Sequence, residues 1–231
     1  MKSPYILCIE TSSGYCSVAL SYGNTLVSQA IENQKNKAAD KLNLLVDTVM
    51  NESKLTFKEL DAIAISGGPG SYTGLRIGVS VAKGLAYALK IPLIHVETFF
   101  AMKAQVENVC DLKFDQYIPM IDARRMDAFT AIINNQNEYI LEPECITIDE
   151  DFIEKWCQSY RNVIFGHELD KFNILLQNKT FIIYLNNINL EAKYMIALAT
   201  DKYLKNQFED IAYYEPKYYK LFHSSSKKSI P

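Results

Sequence analysis

Three short segments of this 231-residue chain carry side chains able to do chemistry. Ile9-Glu10-Thr11-Ser12-Ser13-Gly14 sets a carboxylate, three hydroxyls and a glycine side by side. A carboxylate at a strand end beside hydroxyls could hold a metal-bound phosphate. The same residues also suit a hairpin loop whose hydroxyls bond their own backbone. Ser66-Gly67-Gly68-Pro69-Gly70-Ser71-Tyr72-Thr73-Gly74 leads out of an apolar run into a helical pattern. Such a turn can offer backbone N–H groups to an anion at a helix N-terminus, or it can be only a tight turn with an N-cap. It is no Walker A loop, because Leu75-Arg76 stands where a lysine is needed. Ile121-Asp122-Ala123-Arg124-Arg125-Met126-Asp127 offers two acids and two arginines that could face a cleft, or form a solvated turn with weak ion pairs.

Other chemistries lack their residues. Histidines stand only at 95, 167 and 223, without H-x-x-x-H or H-E-x-x-H spacing, so no histidine metal site is expected. His95 lies inside an apolar strand pattern and reads as a core residue. There is no G-x-S-x-G elbow, and nothing selects a hydrolase triad. Glu10, Glu97, Asp122 and Asp127 divide evenly between the two halves, against one compact two-metal nuclease site. The formal charge of −3 argues against gripping nucleic acid unaided, since phosphate contacts need a basic face. Five cysteines, an odd number without C-x-x-C spacing, read as reduced thiols in a cytoplasmic protein. No apolar run reaches the roughly 18 residues of a membrane span. Ile6–Ile9 ends at Glu10, too short for a signal-peptide core.

The elements that must position these segments follow from periodicity. Ile6–Ile9, Val18–Leu20 and Thr25–Ile31 read as strands, with Gly23-Asn24 as a hairpin turn. Leu42, Leu45, Val46, Val49 and Met50 mark one helical face. Thr56 and Glu59 have capping-box spacing. Ala62–Ile65 is a strand, Thr73–Lys90 a helix stopped by Pro92, Leu93–Val96 a strand and Thr98–Cys110 a helix. The second half repeats the order: strands at Tyr117–Ile121 and Phe129–Ile133, and an interrupted one over Tyr139–Leu141 and Ile146–Ile148. Then come a helix at Phe152–Tyr160, a strand at Val163–Phe165, a helix at Leu169–Leu176, a strand at Phe181–Leu185 and a helix at Leu190–Lys205. Three antiparallel strands followed by alternating helix and strand is the ribonuclease H-like plan. Two copies predict an α/β chain of two lobes in tandem, the actin/hexokinase/Hsp70 architecture. The expected lobes are 1–110 and a smaller 111–231, the last segment packing back on the first, with a frayed tail at His223–Pro231.

The helix from Thr73 carries Gly74, Gly78, Ala82 and Ala86 at steps of four, beside a parallel row of Ile77, Val81 and Leu85. Residues four apart share a face, so a smooth ridge open to another backbone is one reading. A helix wholly buried in its own lobe is the other.

Together, Ile6-Leu7-Cys8-Ile9-Glu10-Thr11-Ser12, Cys16-Ser17-Val18-Ala19-Leu20, Ser66 through Ala86, Asp122-Ala123-Arg124 and Glu215-Pro216-Lys217-Tyr218-Tyr219 resemble the TsaB (YeaZ) family of tRNA threonylcarbamoyladenosine biosynthesis. The resemblance is dense in the first half and thin in the second. It implies a two-lobed relative of the ATP-using transferase TsaD that has lost catalytic equipment. Such a chain pairs with TsaD and is joined by the ATPase TsaE. Their assembly transfers threonylcarbamoyl to N6 of adenosine 37 in tRNAs reading codons that begin with A. The resemblance therefore implies a required non-catalytic scaffold, with no activity, catalytic residue, metal or cofactor of its own. ATP or ADP would sit at the partner interface and tRNA would be met only through the complex. The lone chain could form a homodimer.

The nucleotide- or phosphate-like loops would hold Glu10, Thr11, Ser12, Asp122, Arg124 and Gly166. The interface would hold Gly74, Ile77, Gly78, Val81, Ala82 and Leu85, with the preceding helix about Ala38–Met50 beside it. Glu10 replaces the family's usual Asp, Ala39-Asp40 its histidine–serine pair, and Gly166-His167-Glu168-Leu169 its glycine-rich loop. An active small ATPase or kinase of the same fold is the alternative.

Overall fold

A computed structural model describes residues 2–158, 160–176, 179–186 and 188–219. The tail His223–Pro231 lies outside the described residues. In the first half, β1 (Tyr5–Glu10), β2 (Cys16–Tyr22) and β3 (Thr25–Glu32) form an antiparallel meander. After α1 (Ala38–Ser53), β4 (Ala62–Ser66) pairs parallel to β1. After α2 (Tyr72–Leu89), β5 (Leu93–Val96) pairs parallel to β4. The sheet order is β3-β2-β1-β4-β5.

Helix α3 (Thr98–Val109) leads to the second half, whose strands are β6 (Gln116–Asp122), β7 (Asp127–Asn134), β8 (Tyr139–Thr147), β9 (Asn162–Gly166) and β10 (Ile182–Leu185). Their order, β10-β9-β6-β7-β8, is the same plan again. α4 (Glu150–Trp156), α5 (Asn173–Leu176) and α6 (Ile196–Leu204) complete the chain.

Alternation along the strands explains the layering. In β1, Leu7 and Ile9 pack with Leu42, Val46 and Val49 of α1 and with Val79, Ala82 and Ala86 of α2. Ile6 and Cys8 point to the opposite face. There they join Phe99 and Val106 of α3, Ile133, Val163 and Phe165 of the second sheet, and Ile196 and Ala199 of α6. Both faces are buried, as a sheet with parallel central strands requires. A third core joins Ile118, Met120 and Ile164 to Phe152 and Phe172 on the far side of the second sheet.

Four expected elements differ. β8 is continuous rather than interrupted: it is an edge strand, and a register slip opposite Thr130 to Ile132 absorbs Pro143 where its missing N–H is not needed. The helix expected from Phe152 starts earlier, because the Asp149 side chain accepts from Phe152 N at 3.0 Å and caps it. The helix expected over Leu169–Leu176 is a 3₁₀ turn, Asp170–Phe172, followed by the single turn of α5. The helix expected from Leu190 starts later and opens as a 3₁₀ turn, Ala192–Met195, whose first N–H donates to Ser17 Oγ at 2.9 Å.

After β10 the chain runs back to the first sheet. α6 packs on β1 and β5, and Glu209 bridges Leu93. The segment from Tyr214 to Tyr219 then crosses the glycine-rich loop as a strap, with Lys217 N donating to Gly67 O at 2.8 Å.

The small-residue ridge of α2 faces inward. Gly74, Gly78, Ala82 and Ala86 are buried, and the last two are fully so among the residues with a side chain. A Cβ on Gly74 would run into the Thr11 carbonyl oxygen. One on Gly78 would run into Thr11 Oγ1 and lie 3.0 Å from Ile65 Cδ1. The ridge lets α2 approach its own β1 loop, and Ile77, Val81 and Leu85 are half-buried beside it. The outward face consists of Thr73, Arg76, Ser80, Gly84, Tyr87 and Ala88.

Candidate functional site

A cleft of about 700 Å³ opens between the carboxyl ends of β1 and β6, the usual place for ligands in parallel sheets. Three of its walls are segments singled out above: Ser12-Ser13-Gly14, Gly70 to Thr73, and Asp122-Ala123-Arg124. Lys217, Tyr218 and Tyr219 of the strap form a fourth, and His167 with Glu168 the rim beyond β9.

Glu10 and Thr11 do not line this cleft. Both are fully buried. Glu10 Oε1 accepts from the Ser12 N–H and the Ser12 hydroxyl, each at 2.5 Å, so the carboxylate folds back on its own loop. Its Oε2 has no hydrogen-bond partner among the described residues, and burial pushes the Glu10 pKa up despite the Ser12 bonds. Of the first predicted loop, only Ser12 and the two residues after it face the open space.

Asp122 and Arg124 do stand on the cleft wall. Asp122 Oδ1 accepts from the Arg124 N–H at 3.0 Å and pairs with Lys171 Nζ at 2.5 Å. Arg124 and Arg125 both take left-handed backbone angles (φ 72° and 50°) to turn the β6–β7 hairpin.

Gly166 is buried, and a Cβ there would meet the Met120 carbonyl oxygen. Its lack of a side chain serves the pairing of β9 with β6 rather than a ligand. Beyond it the two lobes are tied together. His167 Nε2 lies 3.2 Å from the Tyr15 hydroxyl, and Glu168 bonds both Lys35 and Tyr15. The Lys35 ammonium holds the Glu168 carboxyl below the usual range.

The glycines of the Ser66–Gly74 loop are likewise used by the chain itself. A Cβ on Gly67 would overlap His95 Nδ1 and the Tyr214 hydroxyl. One on Gly68 (φ +105°) would lie 2.5 Å from Lys217 O, and one on Gly70 would lie 2.6 Å from Ser12. Ser71 Oγ accepts from Gly74 N at 3.3 Å and caps α2. Among the described residues no group of three His, Cys, Asp or Glu side chains gathers to hold a metal ion.

Sequence reasoning missed Tyr15, Lys35, Tyr72 and the strap tyrosines. Tyr72 lies 5.0 Å from Tyr218 ring to ring, and the Arg76 guanidinium sits 4.1 Å over the Tyr72 ring. The Glu215–Tyr219 motif was the available signal, but its place over the loop depends on contacts about 150 residues apart in sequence.

The family model described as TsaD, tRNA N6-adenosine threonylcarbamoyltransferase, matches residues 25–220. The TsaB protein of Bacillus subtilis (strain 168) is 31% identical over 71% of this chain and 71% of its own. That of Buchnera aphidicola from Acyrthosiphon pisum is 30% identical over 80% of this chain and 85% of its own. The chain belongs to the TsaB family. YeaZ from Pseudomonas aeruginosa superposes with a TM-score of 0.75 at 21% identity, covering 93% of this chain and 99% of that one, and so shares the fold.

As in the tandem ribonuclease H-like architecture expected, this TsaB-family chain places its cleft between two copies of one sheet plan. No helix among the described residues is long and apolar enough to cross a membrane.

Proposed function

We propose that the chain is a subunit of the machinery that makes threonylcarbamoyladenosine in tRNA, and that it works there as the pairing partner of TsaD. Its kinship with curated TsaB proteins over most of its length carries this reading. In it, TsaE joins the pair, ATP or ADP binds at the partner interface, tRNA is met through the assembly, and the site of action is the cytoplasm. The pairing surface is the outward side of α1 and α2, where Gly84 has open space around it and Leu44 is 55% exposed. The half-buried Ile77, Val81 and Leu85 form its margin. A second copy could use the same surface when TsaD is absent.

The rival reading is a small ATPase or kinase of the same fold. Against it stand the sequestered Glu10 and the occupied rim at His167 and Glu168. The test is depletion of the chain in cells, with nucleoside mass spectrometry of tRNA and co-purification with tagged TsaD. Loss of threonylcarbamoyladenosine and stoichiometric recovery with TsaD are expected. An unchanged modification level would overturn the assignment. Mg-dependent ATP turnover by the lone chain near the ~10 per second of a median enzyme, abolished by Glu10→Ala, would favour the rival.

A further inference from the structure

A second pocket, about 370 Å³, lies at the carboxyl end of β5, separated from the main cleft by Lys217, which lines both. It is walled by polar and charged side chains. Its floor is His95, only 5% exposed. The imidazole Nδ1 lies 2.8 Å from the Tyr214 hydroxyl. Burial, helped by the Lys202 charge, pushes the His95 pKa down to about 4, so the ring is neutral. Burial also pushes the Tyr214 hydroxyl up, so it keeps its proton and can donate to Nδ1 or accept from it, according to the ring tautomer. Either way Nδ1 is satisfied by Tyr214, and Nε2 is the ring nitrogen left for another partner.

Nε2 is buried and has no hydrogen-bond partner among the described residues. Glu97 Oε1, at 3.9 Å, is beyond hydrogen-bond reach. Glu97 is held elsewhere, with Oε1 accepting from Lys217 at 2.7 Å and Oε2 from the Tyr139 hydroxyl at 2.7 Å. Lys202 Nζ spends one donor on the His95 carbonyl at 2.8 Å, leaving two of its three. The carboxylates of Glu209 and Glu215 also line the pocket and make no hydrogen bond or ion pair among the described residues.

A buried polar atom left without a partner is costly. Here Nε2 and the Lys202 ammonium share a small polar cavity with the carboxylates of Glu209 and Glu215, and Glu209 is close enough to act on the Lys202 charge. A simple anion would meet the donors but be repelled by Glu209 and Glu215, and a simple cation would meet the reverse. We propose that this pocket binds a small zwitterion of the α-amino-acid type. Its carboxylate rests on His95 Nε2–H and Lys202 Nζ, and its ammonium between Glu209 and Glu215.

The test is long-range ¹H–¹⁵N NMR of the histidine rings in the full chain, titrated separately with glycine, acetate and methylammonium. Glycine should shift the His95 Nε2 signal saturably, while acetate and methylammonium at equal concentration should not. Glu209→Gln and Lys202→Gln each remove a charge but leave the His95–Tyr214 bond. Each should weaken glycine binding about tenfold or more, as loss of a charge-assisted hydrogen bond does, with melting temperature as the check on folding. A glycine response matched by acetate would reduce the site to an anion contact and overturn the proposal. So would no response to glycine, or unchanged binding in both folded variants.

Discussion

Two substitutions two residues apart on α2 should behave in opposite ways. Ala82 is fully buried against the outer face of the first sheet. Ala82→Glu places a carboxylate there with no partner, at about 3–5 kcal/mol for an uncompensated buried charge. Overpacking adds about 1–3 kcal/mol. The sum, about 4–8 kcal/mol, is comparable with the whole stability of an ordinary domain. At about 2–4 °C per kcal/mol for a chain of this size, the melting temperature should fall by roughly 10–30 °C or folding should fail. Gly84, by contrast, is exposed and its added Cβ would meet nothing within 4 Å. Gly84→Glu replaces a poor helix former and should gain about 0.5–1 kcal/mol, or about 1–4 °C. It should also abolish co-purification with TsaD, because it sets a charge in the middle of the proposed pairing face. Thermal unfolding and pull-down on TsaD measure both. An Ala82→Glu chain that melts within about 3 °C of its parent would refute the inward ridge. A folded Gly84→Glu chain that still pairs normally would refute the pairing face.

Gly67→Ala should dislodge the strap, because its methyl overlaps His95 Nδ1 and the Tyr214 hydroxyl. A loss of about 1–3 kcal/mol is expected, together with faster tryptic cleavage after Lys217; an unchanged digestion pattern would contradict this. Glu10→Gln should stabilise the chain at neutral pH. Burial raises the folded-state pKa of Glu10, so its contribution is full below the unfolded value and is lost as pH rises through the folded one. The advantage of the Gln variant in urea unfolding should therefore grow from pH 4 to pH 8. For His95 the sign is opposite for acid: its folded pKa is depressed from 6.5 to about 4. Stability is full above pH 6.5 and falls by about 3 kcal/mol as pH drops to 4. His95→Asn should flatten that slope, and an equal slope in the variant would count against it.

The amino-acid sequence carried the repeated strand order, because apolar periodicity and the turn residues at Gly23-Asn24 and Pro92 are local signals. It also determined the family, through the long Ser66–Ala86 stretch. What it left open was which way each candidate faces. Gly74, Gly78 and Ala82 could serve an inner or an outer neighbour, since a four-residue step defines a row but not its direction. Only the docking of α2 on Thr11 and Ile65 turned that row inward. Glu10 was legible as a carboxylate at a strand end. Its withdrawal from the cleft depends on Ser12 lying within 2.5 Å of Oε1, a matter of loop geometry. Lys217 reaches the glycine-rich loop about 150 residues before it, and Tyr214 reaches His95 in β5, each through a single hydrogen bond, so no spacing rule could place them. Local chemistry fixes what each residue can do; the packing of two sheets and a returning strap decides which of those capacities meets open space.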